Sequence, residues 1–211
     1  MESLAAREAW FREYQDFDRT DGKQLIGMEG FERLCTELKL SMEGIEPLVL
    51  LWKLGAIELG TVTLEGWDLG IKAMGVGDNA TLKGAIDAAV KQFQKDPESY
   101  KKFYQSVFYY IKSTEKRVVR VEEAKSVLPV VTNKHWLFMR FIEFLEAQGK
   151  AVTSMTRDQW NLLLDLSKSV DAEFSTYSKE EAWPSLFDDF YDWVRENLAP
   201  VPKQIDIKCR L

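Results

Sequence analysis

The sequence has very little of the side chains from which catalytic and metal centres are usually built. Its 211 residues include two cysteines and one histidine, so a zinc site of the usual Cys and His composition cannot be assembled. Glycine-rich phosphate loops and a GxSxG nucleophile elbow are also missing. Paired carboxylates are present, but they fall on what the pattern indicates are solvated helical faces. We therefore expect no catalytic residues, no metal and no cofactor.

The few candidates for reactive side chains have structural explanations. His135 stands at a predicted helix start and is expected to be a surface or capping residue. Cys35 falls on an apolar helical face and is expected to be a buried free thiol. Because Cys209 is far away in sequence, no disulfide framework is indicated and a reducing compartment fits.

The sequence also lacks a signal peptide and any apolar run of membrane-spanning length. We therefore expect no membrane contact and a location in the cytoplasm, the nucleus or both. We also expect a monomer. The net charge is −6 with both signs well mixed, which disfavours nucleic acid as a partner because phosphate binding needs clustered Lys and Arg. The stretch from Asp171 to Glu196 differs: it has eight acidic residues against Lys179 and Arg195, a net −6.

What the sequence does contain is a hydrophobic fraction of 45% and an aromatic fraction of 12%, enough apolar material for a folded globule. Helical periodicity dominates and predicts an all-α fold. The predicted helices span residues 4–16, 28–39, 43–54, 64–74, 80–94, 97–113, 121–132, 134–148, 156–170 and 179–198.

The only strand-like pieces in this interpretation are "QLIGM" and "GTVTL", each directly before a helix. This is the layout of a paired EF-hand, but the loops lack its calcium ligands. With Asp16 at the first ligand position, Gly22 arrives one place late for the turn glycine; with Asp18 there, Lys23 replaces that glycine. The second loop, "GAIELGTVTLEG", has almost no carboxylates. We therefore predict two calcium-free EF-hand-like units followed by a C-terminal helical lobe.

We expect one domain over residues 1–211. It would consist of an N-terminal lobe at about 5–78 and a helical C-terminal lobe at about 79–198, with a tail at 199–211. The stretch Gly75–Gly84 is the predicted junction of the lobes.

The last predicted helix contains "AWPSLFDDFYDWV". At about 100° per residue, its apolar stripe consists of Trp183, Leu186, Phe187, Phe190 and Val194. Asp188, Asp189 and Asp192 point the other way. Pro184 is placed in the first turn of the main helix, and "SKEEA" (residues 178–182) is predicted to form a short turn before it. In the helix before it, Trp160 opens an apolar stripe that continues through Leu163, Leu164 and Ser167.

Asp158 lies in the first turn of that preceding helix, on the side opposite its stripe, where a carboxylate meets the helix dipole favourably. Two interpretations stay open on the residues alone. The aspartates can be ordinary solvated positions, or they can form an acidic site for a basic partner.

The stretches "DQWNLLLDLSKSV" and "EEAWPSLFDDF" closely resemble the signature of the defective-in-cullin-neddylation family and its potentiating-neddylation (PONY) domain. "IGMEGFERLCTEL", "LVLLWKLGA", "DPESYKKFYQSVFYYIK" and "HWLFMRFIEFL" fall in the family's order, so the resemblance covers roughly residues 5–197. It implies an all-helical, calcium-free EF-hand-like fold. It also implies a non-catalytic scaffold-type ligase component that promotes cullin neddylation. No separate ubiquitin-binding domain is expected.

The resemblance implies two binding sites. The first, which we call the acidic patch, is Asp158, Ala182 and Asp188, and its partner would be the winged-helix region at the C-terminal end of a cullin. The second, which we call the apolar pocket, would take the acetylated N-terminus of the neddylation conjugating enzyme and is lined by Met28, Phe31, Pro47, Leu50, Leu59, Val62 and Tyr110.

Pro47 and Leu59 depart from the β-branched and polar residues of the family pattern, which affects the expected shape of the pocket. Two other functions remain as alternatives: an EF-hand-derived interaction module for another basic partner, and a calcium sensor, which the loop spacing disfavours.

Overall fold

The computed structural model describes residues 3–16, 24–56, 58–112 and 117–197. The predicted all-α fold is confirmed. The helices are α1 Leu4–Tyr14, α2 Met28–Glu37, α3 Glu46–Lys53, α4 Leu64–Met74, α5 Asn79–Gln92, α6 Pro97–Ile111, α7 Val121–Val131, α8 Trp136–Gln148, α9 Arg157–Ser169 and α10 Ser185–Asn197. The strands have two residues each and are β1 Leu25–Ile26, β2 Val62–Thr63, β3 Val119–Arg120 and β4 Ser154–Met155.

The predicted helices agree with the observed ones to within a few residues, except at the start of α10. There the prediction of a helix from residue 179 is wrong, because the helix begins at Ser185. Residues 178–183 form turns, which confirms the predicted short turn of "SKEEA". The turns are closed by hydrogen bonds from the Glu181 N–H to the Ser178 carbonyl and from the Trp183 N–H to the Glu181 carbonyl. The proline that follows Trp183 explains the break, since a residue before proline avoids the helical conformation.

The contacts divide the chain into two compact units, Met1–Ile111 and Lys112–Leu211. This division lies after α6, whereas the sequence places the junction of the lobes at Gly75–Gly84. The difference has a packing reason: α5 contacts α3 and α4, and α6 contacts α3. That a single domain spans the chain stays a prediction.

Unit 1 has the predicted paired EF-hand layout, in which β1 pairs antiparallel with β2 through Leu25 opposite Thr63 and Ile26 opposite Val62. Helix α1 packs against α2 and α4. Trp67 of α4 is fully buried and donates its indole N–H to the carbonyl of Arg7 at 3.0 Å. This arrangement fixes the positions of β1 and β2, and with them the start of α2.

Asp16, one candidate for the first calcium ligand, has a different role in this fold. Its Oδ1 accepts a hydrogen bond of 2.9 Å from the N–H of Gly30, in the first turn of α2. A carboxylate in that place satisfies a free helix N–H and meets the helix dipole. The other candidate, Asp18, lies outside the described residues.

Unit 2 contains a second strand pair that the sequence interpretation missed. Strand β3 pairs antiparallel with β4 through Val119 opposite Met155 and Arg120 opposite Ser154. Apart from a short 3-10 helix at Gly149–Ala151 between α8 and β4, the order β3–α7–α8–β4–α9 repeats the order β1–α2–α3–β2–α4 of unit 1. The expectation that strand-like pieces occur only in "QLIGM" and "GTVTL" is wrong, because β3 and β4 are also strands. Periodicity could not reveal them, since a two-residue strand is too short to show a period of two.

Helix α8 is the centre of unit 2 and packs against α7, α9 and α10. Its Phe141 and Phe144 rings contact Phe190 of α10 at centroid distances of 5.1 and 5.4 Å. The predicted apolar stripe of α9 is confirmed, since Trp160, Leu163, Leu164 and Ser167 are all buried. Because α9 and α10 both pack on α8, the polar sides of the two helices are held by one common core element.

Candidate functional site

The start of α10 positions the acidic residues of that helix. The carbonyl of Pro184 accepts a 2.8 Å hydrogen bond from the N–H of Phe187, so the proline directly precedes the helix and does not sit in its first turn as predicted. Leu186, Phe187, Phe190 and Val194 are buried as predicted, while Trp183 stays partly exposed. This orientation turns Asp189 and Asp192 to solvent and leaves Asp188 partly exposed.

The segment between α9 and α10, which we call the linker (residues 170–184), folds onto α10 through aromatic contacts. Phe174 is buried and lies 5.3 Å from Phe190, centroid to centroid. The Tyr177 ring stacks on Tyr191 at 4.9 Å and 21°, and on Trp183 at 6.4 Å and 22°. These contacts bring the polar groups of the linker to the acidic side of α10.

Asp188 is held by a linker residue. Its Oδ1 accepts a 2.8 Å hydrogen bond from the hydroxyl of Tyr177. Burial, together with this bond to a carboxylate, raises the pKa of Tyr177, so the phenol stays protonated and continues to donate. A neutral donor orients the carboxylate without cancelling its charge, and Asp188 therefore remains available to a cation.

Asp192 has a different partner. The ammonium of Lys179 lies 2.6 Å from its Oδ1 and 2.7 Å from its Oδ2. The hydrogen bond to Asp192 raises the pKa of Lys179, and the negative charges nearby act in the same direction. The linker thus supplies one neutral donor and one cation to two aspartates that are a helical turn apart.

Asp158, the third acidic position of interest, lies at the start of α9. A capping box of Thr156 and Gln159 starts α9, so Asp158 falls in the first turn. Its side chain is 82% exposed and its closest ion contact is to the Nε of Arg157 at 3.9 Å. A contact of that length between exposed groups leaves the carboxylate largely hydrated.

Two members of the acidic patch, Ala182 and Asp188, are connected indirectly through ring contacts of the linker. Ala182 is exposed and directly precedes Trp183, whose ring stacks on the tyrosine that binds Asp188. Asp158 belongs to α9, which shares α8 with α10 as its packing partner. Sequence reasoning missed the contribution of Tyr177, because the linker has no periodicity; the one available signal was that Lys179 interrupts an acidic stretch.

The residues of the predicted apolar pocket fall into two groups by exposure. Phe31, Pro47, Leu50, Val62 and Tyr110 are buried. Met28 and Leu59 are 45% and 42% exposed.

Two contacts place the exposed residues on the same part of unit 1. Met28 begins α2, and its sulfur lies 2.7 Å from the position that a Cβ on Gly60 would occupy. Leu59 donates its N–H to the carbonyl of Tyr110 at 3.3 Å. Burial raises the pKa of Tyr110 to about 12. Residues 59–60 therefore link the two exposed side chains, Met28 and Leu59, to the buried Tyr110.

Within the described ranges, no group of three or more His, Cys, Asp or Glu side chains could hold a metal ion. In the same ranges no helix is both long and apolar enough to cross a membrane. Cys35 is buried as expected, and burial raises the pKa of its thiol to about 12.

Comparison with known proteins gives two kinds of match. The family model described as "Cullin binding" matches residues 81–193. DCN1-like protein 5 of Homo sapiens is 33% identical over 186 residues, covering 88% of this chain and 75% of that protein. DCN1-like protein 4 of Drosophila melanogaster is 30% identical over 188 residues, covering 89% of this chain and 73% of that protein.

The helical fold and the family match, which spans more than half of the chain, define a protein of the cullin-binding class. The chain belongs to the defective-in-cullin-neddylation family, to which its DCN1-like relatives also belong, and carries the PONY domain of that family.

Proposed function

We propose that this protein binds a cullin through the acidic patch and promotes cullin neddylation as a non-catalytic adaptor. The proposal is carried by the exposure and the contacts of Asp158 and Asp188. Asp158 is 82% exposed and lies 3.9 Å from the Nε of Arg157, while Asp188 is partly exposed and accepts a hydrogen bond from the neutral hydroxyl of Tyr177, so a basic partner can reach both carboxylates. A basic side chain that reaches them would form charge-assisted hydrogen bonds, which are roughly twice as strong as neutral ones.

We further propose that the apolar pocket receives the acetylated N-terminus of the neddylation conjugating enzyme. The exposed Met28 and Leu59 support this, because they offer apolar surface beside buried pocket residues. A methionine side chain adapts easily to an apolar guest. Pro47 and Leu59 would set the fit of this particular pocket.

Holding both partners at once would accelerate transfer by raising their effective concentration and restricting their orientation. No side chain of this protein needs to enter the reaction under this mechanism. The cytoplasm and the nucleus are the compartments we propose for it, from the thiol usage and the charge of the chain.

The acidic patch is tested by charge reversal. Asp188→Lys and Asp158→Lys should each weaken binding to a cullin C-terminal domain by about tenfold or more, since loss of a charge-assisted bond costs on the order of 1.5 kcal/mol or more and a repulsion is added. Isothermal titration calorimetry against a panel of cullin C-terminal domains would measure this.

Asp189→Lys is the matched control, because Asp189 is the exposed neighbour of Asp188 and receives the same change of charge. It should weaken binding only a few-fold, as expected for a rim charge. Equal losses in Asp188→Lys and Asp189→Lys would contradict a specific contact at the patch, and wild-type protein that binds no cullin would overturn the proposed function.

A further inference from the structure

Lys179 is placed where a partner's cation would be expected to bind. Its ammonium contacts both carboxylate oxygens of Asp192 at 2.6 and 2.7 Å and lies 5.7 Å from the centre of the Tyr191 ring. Asp192 follows Asp188 by one helical turn on the same side of α10. The protein therefore already holds one positive charge of its own against the acidic side of this helix.

The linker keeps Lys179 in this place. Two residues before it, Tyr177 is only 8% exposed, stacks on Tyr191 and donates its hydroxyl to Asp188. The tyrosine thus anchors the linker to α10, and the lysine side chain reaches Asp192 from that anchor. The packed ring thus fixes the stretch of backbone from which the Lys179 side chain extends.

The ion pair itself is open to exchange. The side chains of Lys179 and Asp192 are 46% and 53% exposed, and exposed pairs of this kind contribute little to stability and are screened by salt. An incoming basic side chain can compete with Lys179 for Asp192. Until it displaces Lys179, it meets a helix on which the charge of Asp192 is neutralised.

We propose that Lys179 is a specificity-determining residue, an internal counter-ion that neutralises Asp192 and so lowers the affinity of α10 for a basic partner. This inference rests on the proposed function, in which the basic partner is a cullin. It predicts that a cullin must bring enough positive charge to work against Lys179, so that weakly basic partners are disfavoured.

The charges of Lys179 and Asp192 predict how the affinity for a cullin changes in each variant. Lys179→Gln leaves Asp192 unpaired and should lower the Kd for a cullin C-terminal domain by about two- to fivefold at physiological salt, the range that exposed charge pairs support. Asp192→Asn leaves Lys179 without its carboxylate and should raise the Kd. The double variant removes both charges and should return to near the wild-type value.

Two further variants are controls. Lys179→Arg keeps the positive charge and should bind like the wild type. Lys91→Gln makes the same change in net charge at an exposed lysine of α5 in unit 1, so it should leave the Kd unchanged. The gain in Lys179→Gln should disappear at about 0.5 M salt, where charges are screened within a few ångströms.

The outcomes separate this inference from the function on which it rests. If wild-type protein binds a cullin and Asp188→Lys does not, while Lys179→Gln binds no more tightly than the wild type, the counter-ion role is overturned and the proposed function stands. If Lys179→Gln and Lys91→Gln tighten binding equally, the effect comes from net charge and the assignment to Lys179 is also overturned. If the wild type binds no cullin, the proposed function itself fails.

Discussion

Phe174 shows how a single residue can hold the acidic side of α10 in place. Its backbone is left-handed, with φ of +53°, a conformation that large side chains rarely adopt. The ring is buried against Phe190, Tyr191 and Tyr177, so packing offsets the unfavourable backbone. The position of the linker therefore depends on tertiary contacts more than on any local preference.

The environment of His135 affects both the start of α8 and the pKa of the imidazole. It precedes α8, accepts from the N–H of Leu137 through Nδ1 at 3.4 Å, and lies beside the rings of Trp136 and Phe138. Burial lowers its pKa from the ordinary value of 6.5. The expectation of a capping residue is thus confirmed.

A lowered pKa makes stability depend on pH in a defined direction. The unfolded chain takes up the proton first, so the contribution of neutral His135 is fully present above the unfolded value and is lost as the pH falls through the folded one. Asparagine is a favoured cap that does not titrate. We therefore expect the free energy of unfolding to fall less between about pH 7.5 and about pH 5.5 in His135→Asn than in the wild type. Urea titrations at both pH values would measure it, and equal falls would contradict the assignment.

At the scale of elements, α4 approaches the end of α3 closely enough to require glycine. A Cβ on Gly70 would lie 2.4 Å from the carbonyl oxygen of Lys53, and a Cβ on Gly66 would lie 2.5 Å from that of Leu54. Both neighbours are backbone atoms that cannot rotate away. The packing of α4 therefore depends on these two positions.

Glycine-to-alanine substitutions test this packing with a control in the same unit. Gly70→Ala should lower the free energy of unfolding by about 1–3 kcal/mol through overpacking. Gly84→Ala, in α5, where nothing lies within 4 Å of the new Cβ, should raise it by about 0.5–1 kcal/mol because alanine favours the helix. Denaturant unfolding of both variants would measure the difference. A stabilising Gly70→Ala would show that the helices can move apart freely.

At the scale of the whole molecule, the proposed adaptor role requires two sites that work independently. Met28→Glu should abolish binding of a peptide that copies the acetylated N-terminus of the conjugating enzyme. Because Met28 is exposed and begins α2, where a carboxylate meets the helix dipole favourably, the fold should be unaffected. The same variant should still bind a cullin, and Asp188→Lys should still bind the peptide.

The peptide without its acetyl group provides the chemical control, since an unmodified N-terminus would bring a positive charge to an apolar surface. Calorimetry with both peptides would measure the preference. Equal affinities would contradict the assignment of the pocket, and loss of both partners in either variant would indicate unfolding, which circular dichroism would detect.

Sequence alone determined the helices of this protein and the faces that they bury, because helical periodicity is local and repeats several times within each element. The stripe of α9 was predicted in this way, as was the stripe of α10 except for Trp183, which precedes the helix and is partly exposed. The placement of Asp158 in a first turn was also predicted. The family signature in "DQWNLLLDLSKSV" and "EEAWPSLFDDF" needed no coordinates either.

Only the tertiary structure decided how the elements are joined and which charges remain available. Strands β3 and β4 are too short for a period, and their pairing joins residues that are far apart in the chain. The contacts of Tyr177 with Asp188 and of Lys179 with Asp192 arise in an irregular linker whose course follows from the packing of aromatic rings on α10. Local patterns carry no information about such contacts, because the contacts depend on which surfaces meet in the folded chain.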